Sequence, residues 1–252
     1  MTNNITRRTL LGTDVDSFTF NQTVDIIIDG INSGKNIHHV CVNAAKVVAM
    51  QTNPILKKSV LNADIISPDG QSIVWASKIL GKPLPERVNG TNLMEKLIHV
   101  SYKQNLKIYF LGATQEVVEK VVSRYRQEYG DKIIAGYRNG YFDKSEEALV
   151  AKQIESSGAN ILFVAMPTPI KENFLFINKK ALKSVEFIMG VGGSFDVVSG
   201  ITKRAPKWMQ QCGLEWFFRI IQEPRRMWKR YLVGNSKFIY LVFKEKIRGS
   251  SL

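Results

Sequence analysis

The 252 residues are 44% hydrophobic and 23% charged, which excludes a disordered tail, a collagen-like repeat and a disulfide-stapled miniprotein. Cys41 and Cys212 stand far apart and outside any CxxC spacing, so a reducing, cytoplasmic setting without structural zinc is expected. Thirty-five Lys and Arg against 22 Asp and Glu leave a net charge of +13, which implies an anionic partner: nucleic acid, an anionic membrane face or phosphorylated substrates.

In chain order, Arg7-Arg8 read as a solvated lead-in to a strand around Thr9–Val15. The acids of Gly12-Thr13-Asp14-Val15-Asp16-Ser17 take the place of the apolar run that an export signal needs. Asp14 and Asp16 have the DxD spacing of metal-holding nucleotide-sugar enzymes, but with no third acid or histidine nearby they read as a solvated strand end. Phe20–Ser33 places Val24, Ile27, Ile28 and Ile31 on one helical face and stops at Gly34. A short buried strand over Ile37–Val42, a helix over Ala44–Gln51 and a further helix after Pro54 come next. Ala63–Ser67 is a strand, Pro68-Asp69-Gly70 a turn, Gln71–Leu80 a helix, and Gly81–Asn92 a loop punctuated by Pro83, Pro85 and Gly90.

The second half repeats the rhythm. Strands are predicted over Leu106–Leu111, Lys132–Gly136, Ile161–Val164 and Val185–Met189. Helices are predicted from Thr114 toward Tyr129, over Lys144–Ser156 and over Pro169–Leu182. The expected fold is therefore α/β: a Rossmann-like parallel sheet core with helices on both faces, plus a basic helical C-terminal appendage. The division falls between a catalytic core at 1–195 and an appendage at 196–252. Ligands of such sheets sit beyond the C-terminal strand ends, which singles out Asn43, Asp69, Gly112, the Pro167 to Glu172 stretch and Gly192 to Asp196.

Each candidate has a plainer reading. Asp69 suits a general base on a hydroxyl, yet Pro-Asp-Gly is also a common turn. Gly190-Val191-Gly192-Gly193 could admit a diphosphate but satisfies neither GxGxxG nor the P-loop, and a tight turn explains it equally. His39 reads as packed in its strand rather than as a ligand, and no metal is expected. The appendage is harder to dismiss. Residues 203–252 carry 12 Lys and Arg against 3 Asp and Glu, together with 9 of the 25 aromatics. Glu215-Trp216-Phe217-Phe218-Arg219 and Glu223-Pro224-Arg225-Arg226-Met227-Trp228-Lys229-Arg230-Tyr231 interleave cations with aromatics, as suits a membrane surface or single-stranded nucleic acid. No run of about 18 apolar residues offers a transmembrane helix.

An ordered set of strings resembles one family, the WecG/TagA/CpsF bacterial glycosyltransferases. It runs from Val42-Asn43-Ala44 and Ala63 through Gly70 to Glu86-Arg87-Val88-Asn89-Gly90 and Gly136 through Phe142. It continues through Gly190 to Asp196, Lys203-Arg204-Ala205-Pro206, Gly213-Leu214-Glu215-Trp216 and Glu223-Pro224-Arg225-Arg226 with Lys229-Arg230-Tyr231. The resemblance implies an inverting, metal-independent transfer from a UDP-sugar to a sugar on a polyprenyl diphosphate, in cell-surface polysaccharide synthesis. The setting it implies is the cytoplasmic face of the membrane, held peripherally.

By position, the resemblance makes Asp69 the base and places Asn43 and Arg87 beside it as polar pocket residues. It places Asp196 near the nucleotide; with the strand-end residues Gly112, Lys171, Glu172, Gly192 and Gly193, and with Cys41, this makes up the expected substrate- and nucleotide-binding set. Arg204, Arg219, Arg225, Arg226, Lys229 and Arg230 are assigned to the diphosphates and the membrane. Two departures leave the donor open between an N-acetylmannosamine-type sugar, its uronic acid and a hexose: Cys41 where many members have Thr, and Lys171 where many have Gln. The UDP-sugar is a substrate, no cofactor and no nucleic acid are expected, and a homo-oligomer is left open. The alternatives are a nucleic-acid-binding protein using the basic aromatic tail, and a nucleotide-dependent oxidoreductase.

Overall fold

The computed structural model describes residues 7–249, apart from the side chains of residues 211, 226, 227 and 229–231. The chain opens with a hairpin, β1 (Arg7–Leu10) and β2 (Thr13–Asp16), where one strand is predicted. Leu11 and Gly12, at φ 53° and 68°, supply the pair of positive φ values that a tight hairpin turn requires. Nor is the lead-in simply solvated. Arg7 Nε donates to Asp16 Oδ1 at 2.8 Å, and its guanidinium reaches the Asp64 carbonyl at 2.7 Å. Asp16 is buried, and its second oxygen accepts from the Ile66 amide at 2.7 Å, so this acid pins the hairpin to the main sheet.

That sheet comprises β3 (Ile37–Val42), β4 (Ile65–Pro68), β5 (Ile108–Gly112), β6 (Ile134–Arg138), β7 (Ile161–Ala165) and β8 (Phe187–Gly190). All pairs are parallel, in the order β4-β3-β8-β7-β5-β6. Strands buried on both faces send alternate residues to opposite layers. Ile37 and Cys41 of β3 join the core under helices α1 (Phe20–Asn32), α5 (Gly90–Gln104) and α6 (Gln115–Tyr129). Val40 and Val42 join the core under α2 (Ala44–Met50) and α3 (Pro54–Leu61), next to α4 (Gln71–Ile79). Helices α7 (Glu147–Ser156) and α8 (Ile170–Ile177) cover the rest of that face through Leu111, Leu162 and Val164. The predicted α/β sheet with helices on both faces is the observed one.

Local boundaries differ where caps decide. The predicted loop at Gly81–Asn92 ends early, because the Asn89 side chain accepts from the Asn92 amide and starts α5 at Gly90. β6 begins two residues late because 131–133 form a 3₁₀ turn. Beyond the sheet lie α9 (Ser194–Val198), α10 (Lys207–Gln211), α11 (Glu215–Gln222) and the 26-residue α12 (Pro224–Gly249). Phe238 and Val242 of α12 are buried with Leu10, Val40 and Val47 in the sheet-side core, so the basic appendage returns to pack on the body. Among the described residues no helix is long and apolar enough to cross a membrane.

Candidate active site

β3 leads outward to β4, while β5 starts on the other side of β8 and β7, so chain direction across the sheet reverses beside β3. The crevice beyond the strand ends at such a reversal is where ligands are expected, and a polar cavity of about 690 Å³ lies there. Asn43 and Asp69 form part of its wall, followed by Gly192, Gly193 and Asp196 from the end of β8. Asn43 N-caps α2 by accepting from the Lys46 amide at 3.0 Å, which holds its side chain at the rim. Asp69 follows β4, and its Oδ1 accepts from the Gly90 amide at the start of α5, 2.9 Å away. The turn aspartate is thus oriented by a helix terminus from another part of the chain. Gly192, at φ 53°, keeps open space where a side chain would stand.

A second cavity, of about 490 Å³ and lined largely by apolar side chains, adjoins the first. Trp75 and Ile79 of α4 face Phe238, Ile239, Val242 and Phe243 of α12 across it. Asn43, Asp69, Asn89 and Arg219 line both spaces. The Asp69 carboxylate therefore stands where a polar pocket meets an apolar one. Arg87 lines the apolar side and donates to Glu215 of α11, which Asn89 also contacts at 3.4 Å.

Under the polar cavity lies a buried ion cluster. Glu172 Oε1 accepts from Lys46 Nζ and Lys171 Nζ, both at 2.8 Å, and from Thr168 at 3.1 Å. Burial alone would raise the Glu172 carboxyl, but Lys46 and Lys171 outweigh it and hold it down at about 2. Burial and the neighbouring Lys46 lower Lys171 to about 8. Cys41 lies against the same wall, its thiol pushed far up by burial and then by Asp69, which keeps it an inert thiol.

Of the residues assigned to the site, Asn43, Asp69, Cys41, Lys171, Gly192, Gly193, Asp196 and Arg219 converge on the polar cavity. Others do not. Gly112 packs against Ala165, where a Cβ would come within 2.4 Å of the carbonyl oxygen; its neighbour Ala113 lines the cavity instead. Glu172 sits behind the wall. Arg204 pairs with Glu95 at 3.4 Å on α5, and Arg225 is exposed and lines neither space. The side chains of Arg226, Lys229 and Arg230 lie outside the described residues. Asp14 accepts from Thr9 at 2.7 Å, and Asp16 is engaged as above. His39 is buried with Nε2 2.9 Å from Ser67 Oγ. Among the described residues no three His, Cys, Asp or Glu side chains gather at one point. Lys46 and Glu215 were not singled out from the sequence. Only the one-turn spacing of Lys46 from Asn43, and the place of Glu215 within a resembling string, pointed to them.

The sequence pattern of the Glycosyl transferase WecG/TagA/CpsF family matches residues 8–252. The chain belongs to this family. It is a glycosyltransferase, which displaces the oxidoreductase and nucleic-acid alternatives. The chain is similar to an N-acetylglucosaminyldiphosphoundecaprenol N-acetyl-β-D-mannosaminyltransferase of Bacillus subtilis strain 168, 39% identical over 73% of this chain and 70% of the relative. Relatives with the same name from Bacillus spizizenii and Staphylococcus aureus strain MW2 are 36% and 31% identical. They cover 79% and 94% of this chain and 75% and 92% of their own lengths. Residues of the family's resembling strings, Asn43, Asp69, Asn89, Gly192, Gly193 and Asp196 among them, thus line the cavity at the strand ends.

Proposed function

We propose that the chain moves a sugar from a UDP-sugar onto a polyprenyl-diphosphate-linked sugar at the inner face of the cell membrane, for a cell-surface polysaccharide. The observation that carries this reading is the position of Asp69 on the wall shared by a polar and an apolar cavity. The nucleotide sugar occupies the polar space. The acceptor enters from the apolar side, with its first prenyl units between α4 and α12. Asp69 takes the proton of the acceptor hydroxyl as that oxygen attacks the anomeric carbon and UDP leaves, a single displacement that inverts the centre. Asn43 and Arg87 orient the reacting sugars.

The charge developing on the leaving diphosphate falls to guanidinium groups rather than to a divalent ion, with Arg219, which borders both cavities, foremost. Attachment to the bilayer is peripheral. Exposed Leu232, Ile239, Tyr240 and Phe243 on α12 lie among basic residues such as Lys237 and Lys244, the composition of an interfacial helix. The names of the relatives make N-acetylmannosamine the first donor sugar to try.

The test is turnover of UDP-sugars with a short-chain lipid-diphosphate sugar, with and without EDTA. Asp69→Asn is expected to lower kcat by roughly 10²–10⁴-fold, the span of general-base catalysis, with an unchanged melting temperature. Wild-type turnover by that variant removes the base assignment, and loss of wild-type activity in EDTA removes the metal-free reading.

A further inference from the structure

The buried cluster behind the polar cavity carries unequal charge. Two ammonium groups, Lys46 and Lys171, share one carboxylate oxygen of Glu172, and both lysines are 6% exposed. Both lysines line the polar cavity, while Glu172 does not. The surplus positive charge therefore borders the ligand space, and a buried surplus of this kind is relieved when a counter-anion arrives. Lys171 Nζ donates to Thr168 Oγ1 at 2.7 Å and to Glu172 Oε1 at 2.8 Å, leaving one of its three N–H bonds without an acceptor among the described residues.

The fold makes room for this side chain. Gly190, the last residue of β8, would with a Cβ come within 3.0 Å of Lys171 Cδ, so the strand end is bare where the lysine stem passes. Lys171 lines the same cavity as Asp69 and Cys41. A Cβ on Gly90 would lie 3.2 Å from Cys41 Sγ and 3.9 Å from Asp69 Oδ1, so these two side chains border the same point. The Cys41 thiol in turn feels Asp69, Lys46 and Lys171. A sugar bound in this cavity has the Asp69 carboxylate, Cys41 and the Lys171 ammonium in its wall. Even after burial lowers it to about 8, the Lys171 amine is mostly protonated at neutral pH.

Resting on the nucleotide-sugar reading above, we propose that Lys171 is a specificity-determining residue that selects a donor sugar bearing a carboxylate. Lys46 and Glu172 hold its ammonium in place, and the free N–H pairs with the sugar's anionic substituent. The same chemistry would serve the diphosphate, so the test must separate the two sources.

The full-length protein is titrated calorimetrically with UDP, with UDP-N-acetylmannosamine and with the corresponding 6-carboxylate, as wild type and as Lys171→Gln. The expected result is at least tenfold tighter wild-type binding of the carboxylate form than of the neutral sugar. Lys171→Gln should erase that preference and leave UDP binding within about twofold, a change comparable to the scatter in single-contact effects. Equal wild-type affinity for the two sugars overturns the proposal, whether or not the variant folds. An equal loss for UDP alone also overturns it, because the lysine then reads the diphosphate. If wild type binds no UDP, this inference and the nucleotide-sugar reading fall together. Tight UDP binding without sugar discrimination removes this inference only.

Discussion

Gly90 meets three demands at one backbone position. Its amide orients Asp69, it starts α5, and its missing side chain leaves room for Cys41 and the Asp69 carboxylate. A Gly90→Ala side chain would press on Cys41 Sγ at 3.2 Å, and Cys41 is buried with little room to yield. Alanine favours the helical backbone by about 0.5–1 kcal/mol, so stability should change little. The displaced carboxylate should instead cost roughly 10- to 100-fold in kcat, since errors of an ångström can cost that much. Paired measurements of kcat and melting temperature check this; wild-type kcat would show that the contact is absorbed elsewhere. Asp69 itself was legible as a residue on a strand end. The amide that aims it comes from 21 positions later, and no local pattern announces that partnership.

At the level of elements, α12 has two jobs on different faces. Phe238 is 4% exposed and belongs to the core with Val40 and Val47, whereas Phe243 is 57% exposed at the apolar cavity. Phe238→Ala should therefore destabilise the protein by about 3–5 kcal/mol, the usual range for a buried phenylalanine, and loosen the helix that closes the cavity. Phe243→Ala should shift stability by no more than about 0.5 kcal/mol, as exposed substitutions do. If the apolar cavity takes the prenyl chain, Phe243→Ala should raise KM for long-chain acceptors several-fold and leave soluble, chain-free acceptors untouched. Denaturant titration and acceptor-length kinetics separate the two variants; an unchanged KM for long chains would empty the cavity of that role. The aromatic residues and the basic surplus of this segment are plain in the sequence. That half of the helix packs back on the body is a tertiary outcome, because the same pattern suits a free interfacial helix.

Across the whole molecule, three buried groups tie stability to pH in one direction. Burial pushes His38 down to about 4 and His39 to about 3, from the ordinary 6.5. Each is protonated more readily in the unfolded chain. Their stabilising neutrality is complete above pH 6.5 and is lost as pH falls through 4 and 3. Glu172, held near 2 by its lysines, adds stability that is complete above about 4.5 and disappears as pH falls toward 2. All three effects have the same sign. Denaturant midpoints should therefore begin to fall just below pH 6.5, the unfolding free energy dropping with a limiting slope of about 1.4 kcal/mol per pH unit for each proton taken up. Midpoints flat from pH 7 to pH 4 would mean that the histidines are not sealed from water.

Alternating burial and strand-end polarity are properties of short stretches, so the parallel α/β body, Asn43, Asp69 and the β8 glycines could all be read before any coordinates. The ordered strings of the family resemblance were legible for the same reason. Other features needed the folded chain. The sequence pattern leaves Arg7 solvated, whereas the folded chain has it clasp Asp16, and the single expected early strand is a hairpin. Gly112 stands at a strand end, where ligands are expected, but packs against a neighbouring strand. Glu215 meets Arg87 across 128 positions, and Lys46 meets Glu172 across a whole domain's length of chain. Sequence spacing reports only which residues share a local face. Ion pairs, cavities and the junction at Asp69 arise from elements that meet only once the sheet is assembled and α12 has returned to cover it.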